Sequence, residues 1–228
     1  MDPGQVAARR LASRLASQSH LPDEVTCPTS RHGRKVGDVS ETIVAATVRQ
    51  SRPEDRETIL GLIESNSREA LTEQDRDAYG FVQGDFTASS LAALEADTGV
   101  VVVEVSGKVV GFAGTSQNLA AGNGPLAELL GQLDQLTLHG RPVSELRPAV
   151  YGPVVVDRAY RGKGLLRSLF EGVLGVLAGK ADVGVLFVED SNRHSMAVHV
   201  NGLGMECIGG FELDGRGYSI LAFPVPRG

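Results

Sequence analysis

Residues 154–166 are the part of the sequence that most restricts the fold. A valine run at 154–156 is followed by a turn that contains Gly162 and Gly164, and then by the apolar start of a helix. A strand that passes through such a turn into a helix presents free backbone N–H groups where the helix dipole favours an anion. Glycine also permits backbone angles that larger residues avoid. The segment therefore predicts an anion-binding turn, with an ordinary tight strand-to-helix connection as the alternative.

This turn differs from the two common nucleotide-binding loops. The sequence contains no GxxxxGK[ST], and the segment lies late in the chain and lacks GxGxxG. Arg161 and Lys163 add positive charge beside the glycines. A ligand with a pyrophosphate group fits these features.

The hydrophobic pattern beyond the turn predicts a mixed α/β domain over residues 43–226. Glu54 is the expected capping acid of the first helix, and Ser106-Gly107 the turn of a hairpin. Pro153 within a strand predicts an edge or a bulge. The expected strands are 43–48, 99–105, 108–114, 149–156, 183–188, 206–213 and 218–223. A first helix is expected to begin near Pro53, and further helices are expected at 66–75, 89–96, 126–136, 164–177 and 195–203.

Residues 1–42 are expected to be a flexible N-terminal tail, because their few apolar side chains cannot form a core. The segment is also rich in Ala, Arg and Ser, which is typical of an organelle transit peptide. Both interpretations place the domain boundary after residue 42.

Composition argues against several classes of protein. The formal net charge of −6 provides no basic field for nucleic acid. Cys27 and Cys207 lie far apart without zinc-ligand spacing, so no metal is expected and a reduced, cytoplasmic protein is the simple interpretation. The apolar runs are much shorter than the roughly 20 residues that cross a bilayer, so no membrane partner is expected.

The anion-binding turn resembles the nucleotide-binding motif R/Q-x-x-G-x-G/A of the GNAT (GCN5-related N-acetyltransferase) superfamily. Arg161, Gly164 and the preceding Val156 match that motif in type and spacing. Arg158 stands where proline is common, and Leu166 replaces the final small residue. The resemblance continues through the strand at 183–188, the Asn192 that follows it, and the Leu203-Gly204 before the next strand, and it covers almost all of residues 43–226.

The resemblance implies an α/β acyl-CoA N-acyltransferase fold, in which a mixed central sheet flanked by helices has splayed fourth and fifth strands. It implies acetyl transfer from acetyl-CoA, the co-substrate, to a primary amine of a small molecule or peptide by direct attack through a tetrahedral intermediate. The residues expected to bind acetyl-CoA are Val154, Val155, Val156, Arg161, Gly162, Lys163, Gly164, Leu165, Leu166, Arg167 and Asn192. In related enzymes the region of Asn66, Glu69, Arg76 and Phe81 borders the acceptor pocket, and an ordinary helix and loop surface is the favoured alternative for these residues.

Specific roles follow from the same resemblance. The backbone of Val154 and Val156 would pair with the pantetheine arm, and the N–H of Val155 or Val156 would hold the oxyanion. The N–H groups at 161–166 would hold the pyrophosphate, Arg167 an outer phosphate and Asn192 the arm.

Two residues are candidates for proton transfer. Many family members place a tyrosine on the helix after Asn192 to protonate the departing thiolate. Counting seven residues forward from Asn192 gives His199, whereas counting four back from Gly204 gives Val200, and we favour His199 because it needs no shift. Glu189 lies at the end of a buried strand, where it could be the general base. The alternatives are a structural histidine and an acid that solvates a strand end.

Other functions remain open at this stage. The chain could be a non-catalytic acyl-CoA-binding sensor or interaction module, or a nucleotide-binding protein unrelated to acyl transfer. Residues 118–148 are long for a connection; their leucines make core packing the default expectation, with a lid or an oligomer contact, such as a homodimer contact, as the alternative. His139 and His194 are expected to be surface groups.

Overall fold

A computed structural model describes residues 46–84, 86–118 and 124–227, so the predicted tail at 1–42 lies outside the described residues. The helices are α1 (Arg56–Ser65), α2 (Glu73–Tyr79), α3 (Ala88–Ala96), α4 (Pro125–Gly131), α5 (Leu165–Leu177) and α6 (Arg193–Ala197), the last continued by a π-helix at Val198–Gly202. The strands are β1 (Ala46–Gln50), β2 (Gly99–Val105), β3 (Lys108–Ser116), β4 (Thr137–Leu138), β5 (Arg141–Pro142), β6 (Pro148–Val156), β7 (Val183–Glu189), β8 (Glu206–Leu213) and β9 (Arg216–Pro224).

Seven of these strands form one mixed sheet in the order β1-β2-β3-β6-β7-β9-β8. Strands β6 and β7 are parallel, and every other neighbouring pair is antiparallel. The parallel pair is bonded only at residues 148–150 of β6 and 183–185 of β7. Both strands continue beyond that point without pairing to each other, which fits the expected divergence of the fourth and fifth strands. The predicted α/β class is confirmed.

Helices cover both faces of the sheet because its central strands are apolar on both sides. Val101 and Val103 face the cluster formed with α5, whereas Val100 and Val102 face α1 and α3. Successive strand residues point to opposite faces, so a run of four valines supplies both layers. A third cluster packs α4 and its following turns against β7 and β9. No helix in the described ranges is long and apolar enough to span a membrane.

The start of α1 corrects one detail of the sequence prediction. The side chain of Asp55, not Glu54, accepts a hydrogen bond from the backbone N–H of Arg52 at 2.8 Å. Asp55 also pairs with Arg49 at 2.6 Å, and Arg49 in turn pairs with Glu104 of β2. The acid one residue later is therefore the one that joins the helix start to the edge of the sheet.

Two predicted helices have different bounds in the structure. The helix expected at 66–75 is α2, which begins later because the hydroxyl of Thr72 accepts from the N–H of Asp75 at 3.1 Å and caps it. The helix expected to continue to Leu136 ends at Gly131 and is followed by a short 3-10 turn at Leu133–Gln135. Leucines at helical spacing continue to Leu136 and therefore did not reveal the end of α4 at Gly131.

Strand β6 contains a bulge at Pro153. Ala113 pairs with Val154 but Thr115 pairs with Tyr151, so Gly152 and Pro153 lie opposite one residue of β3. The bulge was predicted, and the alternative of an edge strand was wrong because β6 is internal. The irregularity lies where β6 leaves β7.

Candidate functional site

A cleft of about 530 Å³ opens where β6 and β7 diverge. Its walls come from β6, the glycine turn, the start of α5, the π-helix and the segment after α2. Most of the predicted acetyl-CoA residues line it, namely Val154, Val155, Val156, Arg161, Gly162, Gly164, Leu165, Leu166 and Arg167. Lys163 and Asn192 do not line it.

The glycine turn has the geometry that its sequence predicts. Gly162 and Gly164 have positive φ angles of 73° and 76°, and Gly164 is the residue that precedes α5. A Cβ atom at either position would meet nothing within 4 Å, so the backbone angle rather than crowding requires glycine. The first backbone bond of α5 runs from Ser168 to Gly164 at 3.2 Å. The N–H groups before Ser168 therefore have no acceptor within the helix and are available to an anion.

Alternation along β6 decides which backbone groups face the cleft. The N–H of Asp157 donates to the carbonyl of Val110 on β3 at 2.8 Å. Because hydrogen-bonded pairs alternate along an antiparallel ladder, Val155 also directs its backbone groups toward β3, where it pairs with Phe112. Val154 and Val156 consequently direct their backbone groups away from β3, toward the gap beside β7. The carbonyl of Val156 accepts from Arg161 Nε at 2.8 Å on that side.

Arg161 ties the turn to the neighbouring elements. Its guanidinium donates to the carbonyls of Val156 and Tyr79 and to Oδ1 of Asn66, each at 2.8 Å. Burial, together with the charge of Arg158, lowers the pKa of Arg161. Arg158 itself lies over the Tyr79 ring at 3.8 Å. These contacts hold the segment after α2 against the turn.

The other two basic residues of the turn differ in position. Lys163 is exposed, and its Nζ donates to the carbonyl of Ala159 at 3.2 Å. Arg167 lies on the cleft wall and donates to the carbonyl of Gly202 at 2.6 Å, which links α5 to the π-helix. Arg167 is thus the better placed of the two for a ligand in the cleft.

Asn192 is buried and engaged with the protein. Its Nδ2 donates to the carbonyl of Phe81 at 2.9 Å, and its Oδ1 accepts from the N–H of Ser195 at 3.3 Å. A Cβ on Gly80 would lie 2.8 Å from the same Oδ1. Asn192 therefore caps α6 and holds the segment after α2 across the gap from Arg161.

The π-helix explains why two ways of counting gave two different residues. The N–H of Leu203 bonds the carbonyl of Val198, an i to i−5 contact that accommodates one extra residue in the helix. Counting back from Gly204 crosses that extra residue, so the position expected for the proton donor moves by one, from His199 to Val200. His199 lies on the cleft wall, whereas Val200 packs against the core.

The environment of His199 favours a neutral imidazole. It is 4% exposed, and its Nδ1 lies 2.8 Å from the carbonyl oxygen of Ser195. A carbonyl only accepts, so Nδ1 carries the hydrogen and Nε2 has a lone pair. Burial lowers the pKa of His199, and the neighbouring His194 adds to the effect. His199 is therefore a potential proton acceptor at neutral pH.

Glu189 lies at the end of β7, and it is not among the residues of the cleft wall. Its buried carboxylate accepts from Arg68, Gln83 and Ser191. Burial raises its pKa, but the hydrogen bonds from Ser191 and Arg68 outweigh that effect and leave the pKa below its ordinary value.

Sequence reasoning missed part of the site. Tyr79 lines the cleft, and so does His194, which was expected to be a surface group. Asn66 and Phe81 also line it, whereas Arg76 donates to the carbonyl of Arg68 at 2.9 Å. No local motif marks Tyr79 or His194, since both reach the cleft through tertiary packing. The described residues contain no group of three or more side chains placed to hold a metal ion.

Comparison with known proteins identifies a family and a fold. The sequence model of the acetyltransferase (GNAT) family matches residues 62–205. The structure of Ard1 from Thermoplasma volcanium is similar at 16% identity and a TM-score of 0.55, over 81% of this chain and 100% of that one. The ribosomal-protein-S18-alanine N-acetyltransferase from Escherichia coli is similar at 16% identity and a TM-score of 0.51, over 81% and 96%.

A GNAT-family acetyltransferase from Streptococcus agalactiae is similar at 17% identity and a TM-score of 0.54, over 80% of this chain and 96% of that one. At these identities the solved structures establish the fold alone. No curated protein matches the sequence.

Proposed function

Since the chain belongs to the GNAT acetyltransferase family, we propose that it transfers an acetyl group from acetyl-CoA to a primary amine of a small molecule or peptide. The observation that carries the proposal is the continuity of the cleft. The backbone of Val154 and Val156 faces the gap beside β7, and the same strand leads directly into the glycine turn. One extended ligand with a pyrophosphate can use both parts.

The residues of the cleft fit acetyl-CoA. The pyrophosphate would accept hydrogen bonds from the N–H groups at 162–166, since the N–H of Arg161 donates to the carbonyl of Arg158 at 3.4 Å, while Arg167 supplies positive charge beside them. The pantetheine arm would pair with the backbone of Val154 and Val156 as an added strand does. Asn192 would bind the pantetheine arm only if its side chain gave up the hydrogen bond to the carbonyl of Phe81. Otherwise it would affect the arm indirectly, by positioning the segment that contains Phe81.

The reaction is an attack of the neutral amine nitrogen on the thioester carbonyl. A C–N bond forms, the carbonyl oxygen becomes an oxyanion, and the C–S bond then breaks. A backbone N–H directed into the cleft can hold the oxyanion. We assign this role to Val154, because the N–H of Val155 points toward β3 and Val156 lies beside the glycine turn, where the arm rather than the thioester would pair.

The proton of the attacking amine must leave, and the departing thiolate must gain one. His199 can do both, because its neutral Nε2 first accepts the amine proton and then returns it to sulfur. Glu189 is the weaker candidate, since a carboxylate with a lowered pKa and three hydrogen-bond donors is a poor base. We assign Glu189 to holding Arg68 and Gln83 on the acceptor side of the sheet.

The proposal is tested by mixing the full-length protein with acetyl-CoA and a panel of amines and measuring the release of free CoA. We expect release that depends on one class of amine, with the acetylated amine detected by mass spectrometry. A chain that binds acetyl-CoA but releases no CoA with any amine would be a sensor or interaction module instead. Greater thermal stabilisation by ATP or NAD than by CoA would support a nucleotide-binding protein.

A further inference from the structure

Two buried side-chain polar atoms of the described residues have no hydrogen-bond partner, Oη of Tyr151 and Nε2 of His199. An unpaired buried polar atom costs about 1–3 kcal/mol, and most buried groups avoid it. Such atoms are often found where a ligand completes the bonding. Their occurrence in the same part of the molecule therefore needs an explanation.

The two side chains are neighbours. The rings of Tyr151 and His199 pack edge to face, with 5.8 Å between centroids and an angle of 75°. The remaining ring contacts of Tyr151 are with Phe170 and Phe223, which offer no hydrogen-bond acceptor. His199 is one of the residues that line the cleft, and Tyr151 contacts its ring without lining the cleft itself.

This pair lies at the narrow end of the gap between the strands. Val150 and Val185 form the last pair of β6 with β7, and Tyr151 is the next residue. Val156, by contrast, lies beside the glycine turn at the other end of the gap. An arm that is anchored at the turn and follows β6 from Val156 to Val154 extends its free end toward Tyr151.

The two atoms also complement each other chemically. Burial raises the pKa of Tyr151, so the hydroxyl keeps its proton and acts as a donor. The lone pair on Nε2 of His199 acts as an acceptor, because Nδ1 donates to Ser195. A thiolate sulfur can accept a hydrogen bond from the hydroxyl of Tyr151, and once it is a thiol it can donate one to Nε2 of His199.

We propose that Tyr151 and His199 together form the site for the sulfur atom of the acyl donor, with Tyr151 as a further catalytic residue. The hydroxyl of Tyr151 donates a hydrogen bond to sulfur as the C–S bond breaks and keeps its own proton. The proton of the attacking amine moves to Nε2 of His199 and from there to sulfur, so CoA leaves as the thiol and the imidazole is neutral again. This inference rests on the proposed acetyl transfer.

The test compares binding of CoA with binding of desulfo-CoA, which lacks the sulfur, by calorimetry. Wild-type protein should bind CoA about fivefold more tightly, as one net hydrogen bond predicts. Tyr151→Phe should remove this preference while leaving affinity for desulfo-CoA unchanged. It removes an unpaired hydroxyl and keeps the ring, so the free energy of unfolding should not fall.

Tyr218→Phe is the matched control, because Tyr218 is also buried, at 5% exposure, but lies on β9 against Phe187 and Phe211. It should retain the full preference for CoA. In the wild-type protein, CoA but not desulfo-CoA should shift the ¹⁵N resonance of His199 Nε2, which provides a measurement independent of any variant. Tyr151→Phe should also lower kcat on the order of tenfold, the effect of one lost hydrogen bond.

The two proposals fail in different ways. Equal affinity of the wild-type protein for CoA and desulfo-CoA, or a preference that survives in Tyr151→Phe, would overturn the sulfur site without touching acetyl transfer. A preference that depends on Tyr151, in a protein that acetylates no amine, would support the sulfur site and overturn the proposed reaction.

Discussion

The two ends of the cleft are built in different ways. The open end consists of consecutive residues, 161–167, that present backbone N–H groups and exposed basic side chains around two positive-φ glycines. The closed end consists of His199, which lines the cleft, and Tyr151, which contacts its ring; they come from different elements and are almost completely buried. One end uses the backbone of a local turn, and the other uses side chains assembled by the fold.

This difference separates binding from chemistry. A backbone cradle depends on the backbone angles, so side chains such as Leu166 can vary there with little effect on the N–H groups. A buried pair of polar side chains depends on the identity of each residue, because no neighbour can replace a lost donor or acceptor. Substitutions at the closed end should therefore change turnover and the affinity for the product CoA, and substitutions at the open end should change the affinity for acetyl-CoA.

The largest effect is expected from His199→Phe, which removes the proton carrier at the closed end. Turnover should fall on the order of 10²-fold, the usual size of acid-base catalysis, while the dissociation constant for acetyl-CoA is largely kept. His139→Phe is the control, because His139 is exposed and pairs with Glu206. Near wild-type turnover at saturating substrate would remove His199 from the mechanism.

The same histidine predicts a pH dependence. The groups near it are Tyr151 on β6, His194 on α6 and Arg167 on α5, which contacts the end of the π-helix. Neutral His199 is the active form and its pKa is lowered, so kcat/KM should rise with pH through a midpoint below the ordinary value of about 6.5. His199→Gln should abolish this rise, and a rise through the same pH range that persists in that variant would contradict the assignment.

A smaller effect, on stability, is expected from Glu189→Gln. This variant tests whether Glu189, at the end of β7, takes part in proton transfer. Loss of the charge leaves Arg68 without its partner, so the free energy of unfolding should fall by about 2 kcal/mol. The turnover of the folded variant should be retained, since we assign no proton transfer to Glu189. Glu206→Gln at an exposed position is the control, and a loss of turnover confined to Glu189→Gln would make this carboxylate the base.

At the open end, Gly164→Ala should raise the dissociation constant for acetyl-CoA about tenfold, because a side chain at positive φ costs about 1–2 kcal/mol or forces the turn to change. Gly175→Ala makes the same substitution inside α5, where a Cβ also meets nothing within 4 Å but φ is ordinary. Its affinity should be unchanged. Equal binding by both variants would show that the turn angle does not matter.

The smallest effect is expected from a change outside the cleft, at the N-terminus of the chain. Removal of residues 1–40 should change neither cooperative unfolding in urea nor acetyl-CoA affinity, because the predicted domain begins at residue 43. Loss of a single cooperative transition in the shortened protein would place the domain boundary earlier in the chain.

The open end could be predicted from the sequence because its signals are local. Gly162, Gly164 and the valine run determine the turn and the strand, and both appear in the structure at the expected positions. The start of α2 was not predicted, since the capping hydroxyl of Thr72 competes with other polar residues nearby. Contacts that join distant segments carry no local signal.

The closed end shows that limit most clearly. His199 could be proposed from its distance to Asn192, but Tyr151 lies in an ordinary strand pattern and has no motif of its own. Only the end of the β6–β7 pairing and the contact between the two rings bring Tyr151 to the site. The three hydrogen bonds of Arg161 were missed for the same reason.

The π-helix at Val198–Gly202 has a consequence for how this site can evolve. Each residue of an α-helix turns the chain by about 100°, so deletion of one residue there would rotate the preceding side chains relative to Gly204 and present a different one to the cleft. Point mutations can replace the imidazole, but they cannot change which position faces the ligand. Insertion and deletion are the genetic events that choose the position, and relatives that differ by one residue in this helix would use different residues for the same step.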